Sequence, residues 1–521
     1  MNEFDYVVVG GGSAGCALAA RLAEDPALRV CLVEAGGSGR SLFIDTPALV
    51  AVTVPRKLHN WAFETEPQPG LAGRRGYQPR GKALGGSSAI NAMIYMRGHP
   101  RDYDEWNCPG WTWRDVLPVF LRGEHNERGA DDFHATGGPL NVADLRSPNV
   151  ASLAFVEAGV QAGHARNTDF NGASQMGVGL YQVTQKHGRR WSAARAYVDA
   201  AVARGNLSVL TDTHALRLQF SGRACVGVET TRGSLRARRE TIVCGGAFGS
   251  PQLLLLSGIG PREALEPHGI ALRHELPGVG RNLQDHPDYV IGYLSGAPGL
   301  LGLTARGIGN LVAGIGAFRR EGRGILASNL AEAGGFLALA PDASRPDLQL
   351  HFVIGLVADH GRDTTPRYGF SCHVCVLRAE SRGSVTLRSA DPLAPPRIDP
   401  GFLSAGDDLA RLVRGVGLTM DILRQDALAP HRGANVYGED WITGDALADL
   451  VRKRADTVYH PAGTCRMGSG DDAVVDAQLR VHGIENLRVA DASIMPTLIG
   501  GNTNAPSMMI GERCADFLRN A

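Results

Sequence analysis

The sequence predicts an α/β fold in which one discontinuous dinucleotide-binding domain is interrupted by a second domain. Two continuous apolar strands, Tyr6-Val7-Val8-Val9 and Arg29-Val30-Cys31-Leu32-Val33, bracket a glycine turn and a helix from Ala17 to Leu22. That is the pattern of a βαβ unit whose parallel strands are covered on both faces. Strand composition returns at Leu207 to Leu210, Ala224 to Glu229 and Glu240 to Cys244, and once more at Leu487 to Ala490. Between these returns, Asp347 to Val357, Phe370 to Leu377 and Val385 to Leu387 read as strands of the second domain.

The chain has 521 residues, 44% of them hydrophobic and 20% charged, enough for several domains with full cores. Lys plus Arg and Asp plus Glu are 53 each, so the broad basic surface that binds nucleic acid is not expected. Nine cysteines, an odd number, are scattered from Cys16 to Cys514, which suits buried thiols in a reducing compartment. The close pair Cys372 and Cys375 falls in a strand, on opposite faces, and has no second pair to complete a zinc site. No metal is expected. The acidic start Met1 to Asp5 lacks a signal-peptide pattern, and the most apolar stretch, Tyr289 to Ala305, is broken by glycines and Pro298. A cytoplasmic location is the expectation.

Gly10-Gly11-Gly12-Ser13-Ala14-Gly15 fits G-x-G-x-x-G between the first strand and its helix, and Glu34-Ala35 ends the second strand. Gly10 makes the tight turn, Gly12 admits a pyrophosphate against the backbone, and Gly15 lets helix and strand pack closely. Ser13 and Ala14 open the helix, whose positive end faces the phosphates. Glu34 would accept hydrogen bonds from adenosine ribose hydroxyls. The loop-rich stretch from about Ser38 to Asn107 needs something to organise it, and a bound cofactor would serve.

Five further segments resemble the glucose–methanol–choline (GMC) oxidoreductases. They are Arg80 to Met93 (RGKALGGSSAINAM), Gly245 to Leu254 continuing to Gly260, Asn282-Leu283-Gln284-Asp285-His286, Tyr459 to Cys465, and Gly501 to Pro506. The resemblance runs from residue 6 to beyond 510 and implies FAD rather than NAD. It implies an α/β fold with a Rossmann-like FAD-binding domain in three segments, 1–150, 193–295 and 456–521. The implied α+β substrate domain is 151–192 with 296–455, built on an antiparallel sheet. On this resemblance Gly85, Gly86, Asn91, Ala92 and Met93 approach the flavin, and Asp491 with Ala492 supplies a second acidic contact. Asn502 and Thr503 lead into a last helix whose positive end points at the flavin pyrimidine. Some relatives attach FAD through a histidine in the first signature loop; here Ser88-Ala89-Ile90-Asn91 has none, and dissociable FAD is expected.

The implied reaction is oxidation of an alcohol to the aldehyde, with hydride passing to flavin N5 and the hydroxyl proton to a base titrating near neutrality. His460 holds the family's base position and Asn504 the partner position that orients the substrate oxygen. His351 is either a pocket residue or a satisfied core histidine, and Glu332 either lines the pocket or makes a surface salt bridge. No aromatic cage for a quaternary ammonium is evident, so a neutral primary alcohol is favoured over choline. A lyase on the same fold, with redox-silent FAD, is the alternative. Oxygen and a quinone-type acceptor both stay open, as do monomer and homodimer. The Gly-rich segment from about Gly292 to Gly316 reads as a lid, a quinone or peripheral membrane contact, or buried helices.

Overall fold

The computed structural model describes residues 3–520. Its first sheet has β1 (Glu3–Val9) at the centre, paired in parallel with β2 (Val30–Val33) on one side and with Gly233–Val243 on the other. Leu207–Leu210 extends the sheet in parallel beyond β2, and Leu487–Val489 adds to Gly233–Val243. The long strand Gly233–Val243 also starts an antiparallel meander with Ala224–Thr230 and Ala215–Ser221. β2 is buried along its whole length, which its unbroken apolar sequence requires.

Four helices matter for the site: α1 (Ser13–Leu22), α2 (Gly246–Leu256), α3 (Ala305–Glu321) and α4 (Asn504–Arg519). α1 and α4 cross at Gly511, where a Cβ would come within 2.2 Å of the Ala14 carbonyl oxygen. At the head of α1, Gly10 takes φ +111°, and a Cβ on Gly15 would lie 1.9 Å from the Gly10 oxygen. Only glycine permits that turn and that contact.

The second sheet is antiparallel throughout, in the order Asp456–Thr457, Pro287–Leu294, Gly369–Val376, Leu348–Val353, Ala331–Leu337, Gly177–Leu180. Helices Val150–Gln161 and Asp408–Leu423 pack against it within one apolar cluster. The expected boundaries at 295 and 456 therefore need correction. Pro287–Leu294 lies wholly in the second sheet, and Asp456–Thr457 pairs with its first residues. Apolar alternation marks Pro287–Leu294 as a strand but carries no information about which sheet accepts it. Cys372 and Cys375 sit on one strand, both buried and unpaired, and all nine cysteines are free thiols.

The loop-rich stretch after β2 is stitched to the glycine turn by its backbone. Gly85 N donates to Gly11 O at 2.7 Å, and Leu84 N to Gly37 O at 2.8 Å. The Gly292–Gly316 region resolves into the end of one strand, a loop, and most of α3. Its reading as buried helices is overturned, because only Gly307 and Phe318 of α3 are buried.

Candidate active site

A cleft of about 1140 Å³ runs between the two sheets, from the β1–α1 turn to His460. At one end, Gly10, Gly12, Ser13 and Ala14 line it together with Gly245 to Gly249. α1, α2 and α4 all start on this wall, and none is capped by the side chain of its own N-cap residue. Their free N–H groups and positive ends suit an anionic ligand. A Cβ on Gly12, Gly246 or Gly249 would meet nothing within 4 Å, so the backbone stands open to whatever lies there. Gly86 is the counter-case: it takes φ +54°, and its Cβ would fall 2.6 Å from the Gly12 Cα.

Two carboxylates bracket this wall. Glu34 is buried; its Oε2 accepts from Gly11 N at 3.0 Å and its Oε1 from Gly36 N at 2.7 Å. Burial lifts its pKa to about 7 against those hydrogen bonds, and with Ala35 it lines the cleft where hydroxyl donors would meet it. Asp491 accepts from Gly246 N and Ser250 Oγ at 2.8 and 2.5 Å, and from Ser493 N at 2.7 Å. It fastens the start of α2 and, beside Ala492, faces the cleft. Asn91 Oδ1 accepts from Met93 N and from the buried Arg190, and Asn91, Ala92 and Met93 all line the wall. Gly15 and Gly85 do not; they lie behind it and act through close packing. This donor-rich, glycine-floored wall with an acidic residue at each side fits FAD.

At the other end His460 is buried. Its Nδ1 is 3.0 Å from His286 Nδ1, and its Nε2 is 3.1 Å from Asn502 Nδ2. Asn502 Oδ1 accepts from Gln349 Nε2 at 2.9 Å, and the Gln349 amide also reaches the Tyr181 hydroxyl, which donates to Leu350 O. This chain orients the Asn502 amide so that its N–H points at His460. His460 Nε2 then carries a lone pair, and Nδ1–H donates to His286. Asp285 holds both histidines by their backbones, accepting from His460 N at 2.9 Å and His286 N at 2.8 Å. Tyr459, just before the imidazole, takes φ +76°. That strained turn is tied down by Thr457 Oγ1 and Arg80 Nη2.

Burial holds His460 well below the usual imidazole range, with His286, His351 and Arg80 adding to the effect. His286 and His351 are each pushed down to about 3 by burial first and by neighbouring positive groups second. All three are uncharged at neutral pH.

Asn504 lines the cleft but makes no hydrogen bond to His460; its Oδ1 accepts from Ser13 Oγ at 2.7 Å. The amide that reaches His460 belongs to Asn502, because the chain bends at Gly501 before α4 begins. Thr503 lines the cleft between them. Glu332 corrects both of its expected readings. It is buried, turned from the cleft, and accepts from Ser328 Oγ, Ser152 Oγ and Asn149 N at 2.5, 2.8 and 2.7 Å. His351 faces the cleft opposite His373 on the next strand, and neither of its ring nitrogens has a partner. It is a buried polar group awaiting one. His286 and Gln349 escaped sequence reading as site residues. His286 stood in a recognised landmark, but nothing in one sequence pairs it with a residue 174 positions away.

The fold and this cleft define a flavin-dependent oxidoreductase acting on CH–OH donors, with FAD as cofactor. Residues 4–288 and 379–511 match the N- and C-terminal parts of the GMC oxidoreductase family, and the chain belongs to that family. It is 44% identical to an alcohol dehydrogenase (acceptor) of Pseudomonas putida, over 99% of this chain and 95% of that one. It is 42% identical to an oxygen-dependent choline dehydrogenase of Pseudomonas fluorescens, over 99% and 94%. Among solved structures it superposes on pyridoxine 4-oxidase from Mesorbium loti with a TM-score of 0.89, at 33% identity over 99% of both chains.

A buried imidazole that stays neutral leaves a signature in acid. Below its ordinary value of about 6.5 the unfolded chain takes up a proton that the folded chain refuses, so stability falls as pH falls. His351→Leu removes one such group. Urea unfolding between about pH 6 and pH 4 is expected to show a pH slope shallower by about 1.4 kcal/mol per unit than the parent. Equal slopes would mean that His351 titrates normally in the fold.

Proposed function

We propose that the protein oxidises neutral primary alcohols with an apolar chain to aldehydes, with His460 Nε2 taking the hydroxyl proton. The observation that carries this reading is the neutral, buried His460 lining the cleft beside the unpartnered His351, with an Nε2 lone pair that accepts from the Asn502 amide until the alcohol hydroxyl displaces it. Bound FAD would supply the acceptor for the hydride leaving the alcohol carbon. Asn502, held by Gln349, keeps the imidazole plane fixed, and His286 accepts from Nδ1, so the proton arrives at Nε2 and not at the other nitrogen. His351 supplies an N–H to the substrate oxygen. Asn504, at the start of α4 and against Ser13, belongs to the cofactor wall on this reading.

The substrate preference follows from the walls. Ile94, Leu330, Val353 and Leu356 line the cleft together with His460. The carboxylates that line it are Glu34 and Asp491, committed to backbone donors, and the exposed Glu64 and Asp363. Trp61, the largest lining aromatic, already has the Lys82 ammonium 4.3 Å from its ring centroid. Phe63, Phe248 and Tyr459 also line the cleft, so the preference rests on the aliphatic lining and not on a want of aromatics. FAD is held without a covalent bond, since the first signature loop presents no histidine; acid-precipitated protein should release its yellow colour to the supernatant.

His460→Ala is expected to lower kcat by roughly 10²–10⁴-fold with FAD retained; near-normal turnover would reject the base assignment. Anaerobic mixing with a panel of primary, secondary, aryl and quaternary-ammonium alcohols is expected to bleach the flavin fastest with aliphatic primary alcohols. Faster bleaching by choline would overturn the substrate class, and a flavin left oxidised by every alcohol would point to a lyase. Admitting air afterwards separates an oxidase, which recovers its colour at once, from a dehydrogenase.

A further inference from the structure

α3 is a regular helix with both ends built: Thr304 Oγ1 accepts from Gly307 N, and Gly322 closes it at φ +63°. Its inward stripe is Gly307, Leu311, Gly314 and Phe318, at helical spacing. A flanking stripe, about 100° round the helix from it, is Ile308, Val312 and Ile315, exposed by 54%, 63% and 43% where a surface helix normally carries polar residues. Leu303, just before the helix, is 52% exposed. The helix, about 25 Å end to end, therefore carries an exposed apolar flank beside its buried stripe.

Cations surround this outward face. Arg306, Arg319, Arg320 and Arg323 are exposed on α3 and its exit. Arg56 and Lys57 are exposed on the segment that lines the cleft with Leu303 and Leu311. Among the described residues none of these six forms an ion pair with a carboxylate. The helix from Ala305 to Arg320 carries no acidic residue. In a chain of zero formal net charge, this is a local excess.

An apolar stripe ringed by unpaired arginines is the composition of a helix lying in a membrane interface. No helix among the described residues is long and apolar enough to cross a bilayer. A second copy of the chain fits poorly, because a two-fold contact would set this cationic rim against itself. We propose that α3 docks the protein on the surface of an anionic lipid bilayer, with Ile308, Val312 and Ile315 entering the headgroup boundary and the arginines on lipid phosphates. Leu301, Leu303 and Leu311 line the cleft, so docking brings the cleft to the lipid. The docking itself rests on this surface alone and not on the proposed reaction.

Sedimentation of the FAD-loaded full chain with vesicles tests it. The protein is expected to co-sediment with phosphatidylcholine–phosphatidylglycerol vesicles at low salt, and far less with phosphatidylcholine alone. Ile308→Glu with Val312→Glu should cut the bound fraction at least ~10-fold, and Arg319→Glu with Arg320→Glu about fivefold for each cation removed. Flavin content and dye-coupled activity in solution should stay at parental levels in both variants. Absence of binding to the anionic vesicles, or binding that Ile308→Glu with Val312→Glu leaves intact, overturns the proposal. So does a dimer in analytical ultracentrifugation that this double variant dissolves, which would assign the face to a second copy.

Discussion

The rest of the cleft depends on one buried imidazole being kept uncharged and in a single tautomer. His460 lies where water does not stabilise a charge, so its neutral form is favoured by desolvation alone. A neutral imidazole is useful only if the lone pair is on the right nitrogen, and that takes a donor on one side and an acceptor on the other. Asn502 and His286 provide them, and each is fixed by groups behind it. The hydrogen-bond chain from Tyr181 through Gln349 and Asn502 to His460 and His286 crosses three parts of the sequence. A partly satisfied polar network inside a core costs more than an apolar one. Here the Gln349–Asn502 and His286–His460 bonds join the second sheet and its entry to the last segment of the chain, so the sheet must sit closely against that segment.

The nucleotide end solves a different problem by opposite means. It needs open backbone and not fixed side chains, and it gets this from glycines at helix starts. Three helix starts without an N-cap side chain of their own, and the glycine floor, leave N–H groups without intrahelical partners, tolerable only where water, an anion or a carboxylate such as Asp491 can reach them. Asp491 connects the two ends. It ties the start of α2 to the strand that runs on towards Asn502, so the wall that takes the cofactor and the loop that aims the amide move together.

Local constraints were legible in the sequence and long-range ones were not. The βαβ unit with Glu34 could be read because turn, helix and strand period lie within 35 residues. The signature loops could be read because a glycine that must approach another backbone tolerates no substitute. Which sheet takes Pro287–Leu294 depends on partners in Gly369–Val376 and Asp456–Thr457, far along the chain, and left no local mark. Asn502 and Asn504 differ by two positions at the start of a helix, and the bend at Gly501 decides which amide meets the histidine. Glu332 looked like a surface or pocket acid because carboxylates seldom sit in cores. Its donors come from residues 149, 152 and 328, a set that only the folded chain assembles.

α3 shows the same limit from the other side. Its glycine-rich apolar sequence fits burial, and burial is what the period of 307, 311, 314 and 318 delivers on one face. The second period at 308, 312 and 315 was equally present, but sequence alone has no direction for inside. Once the fold supplies that direction, the second stripe becomes surplus to the core, and its arginines form no ion pair, although Glu321 ends the helix among them. The zero net charge of the chain conceals one face that is both apolar and cationic. A helix that exposes area of this kind loses hydrophobic free energy in water. Its retention beside the cleft is consistent with a surface whose stable environment is not bulk solvent.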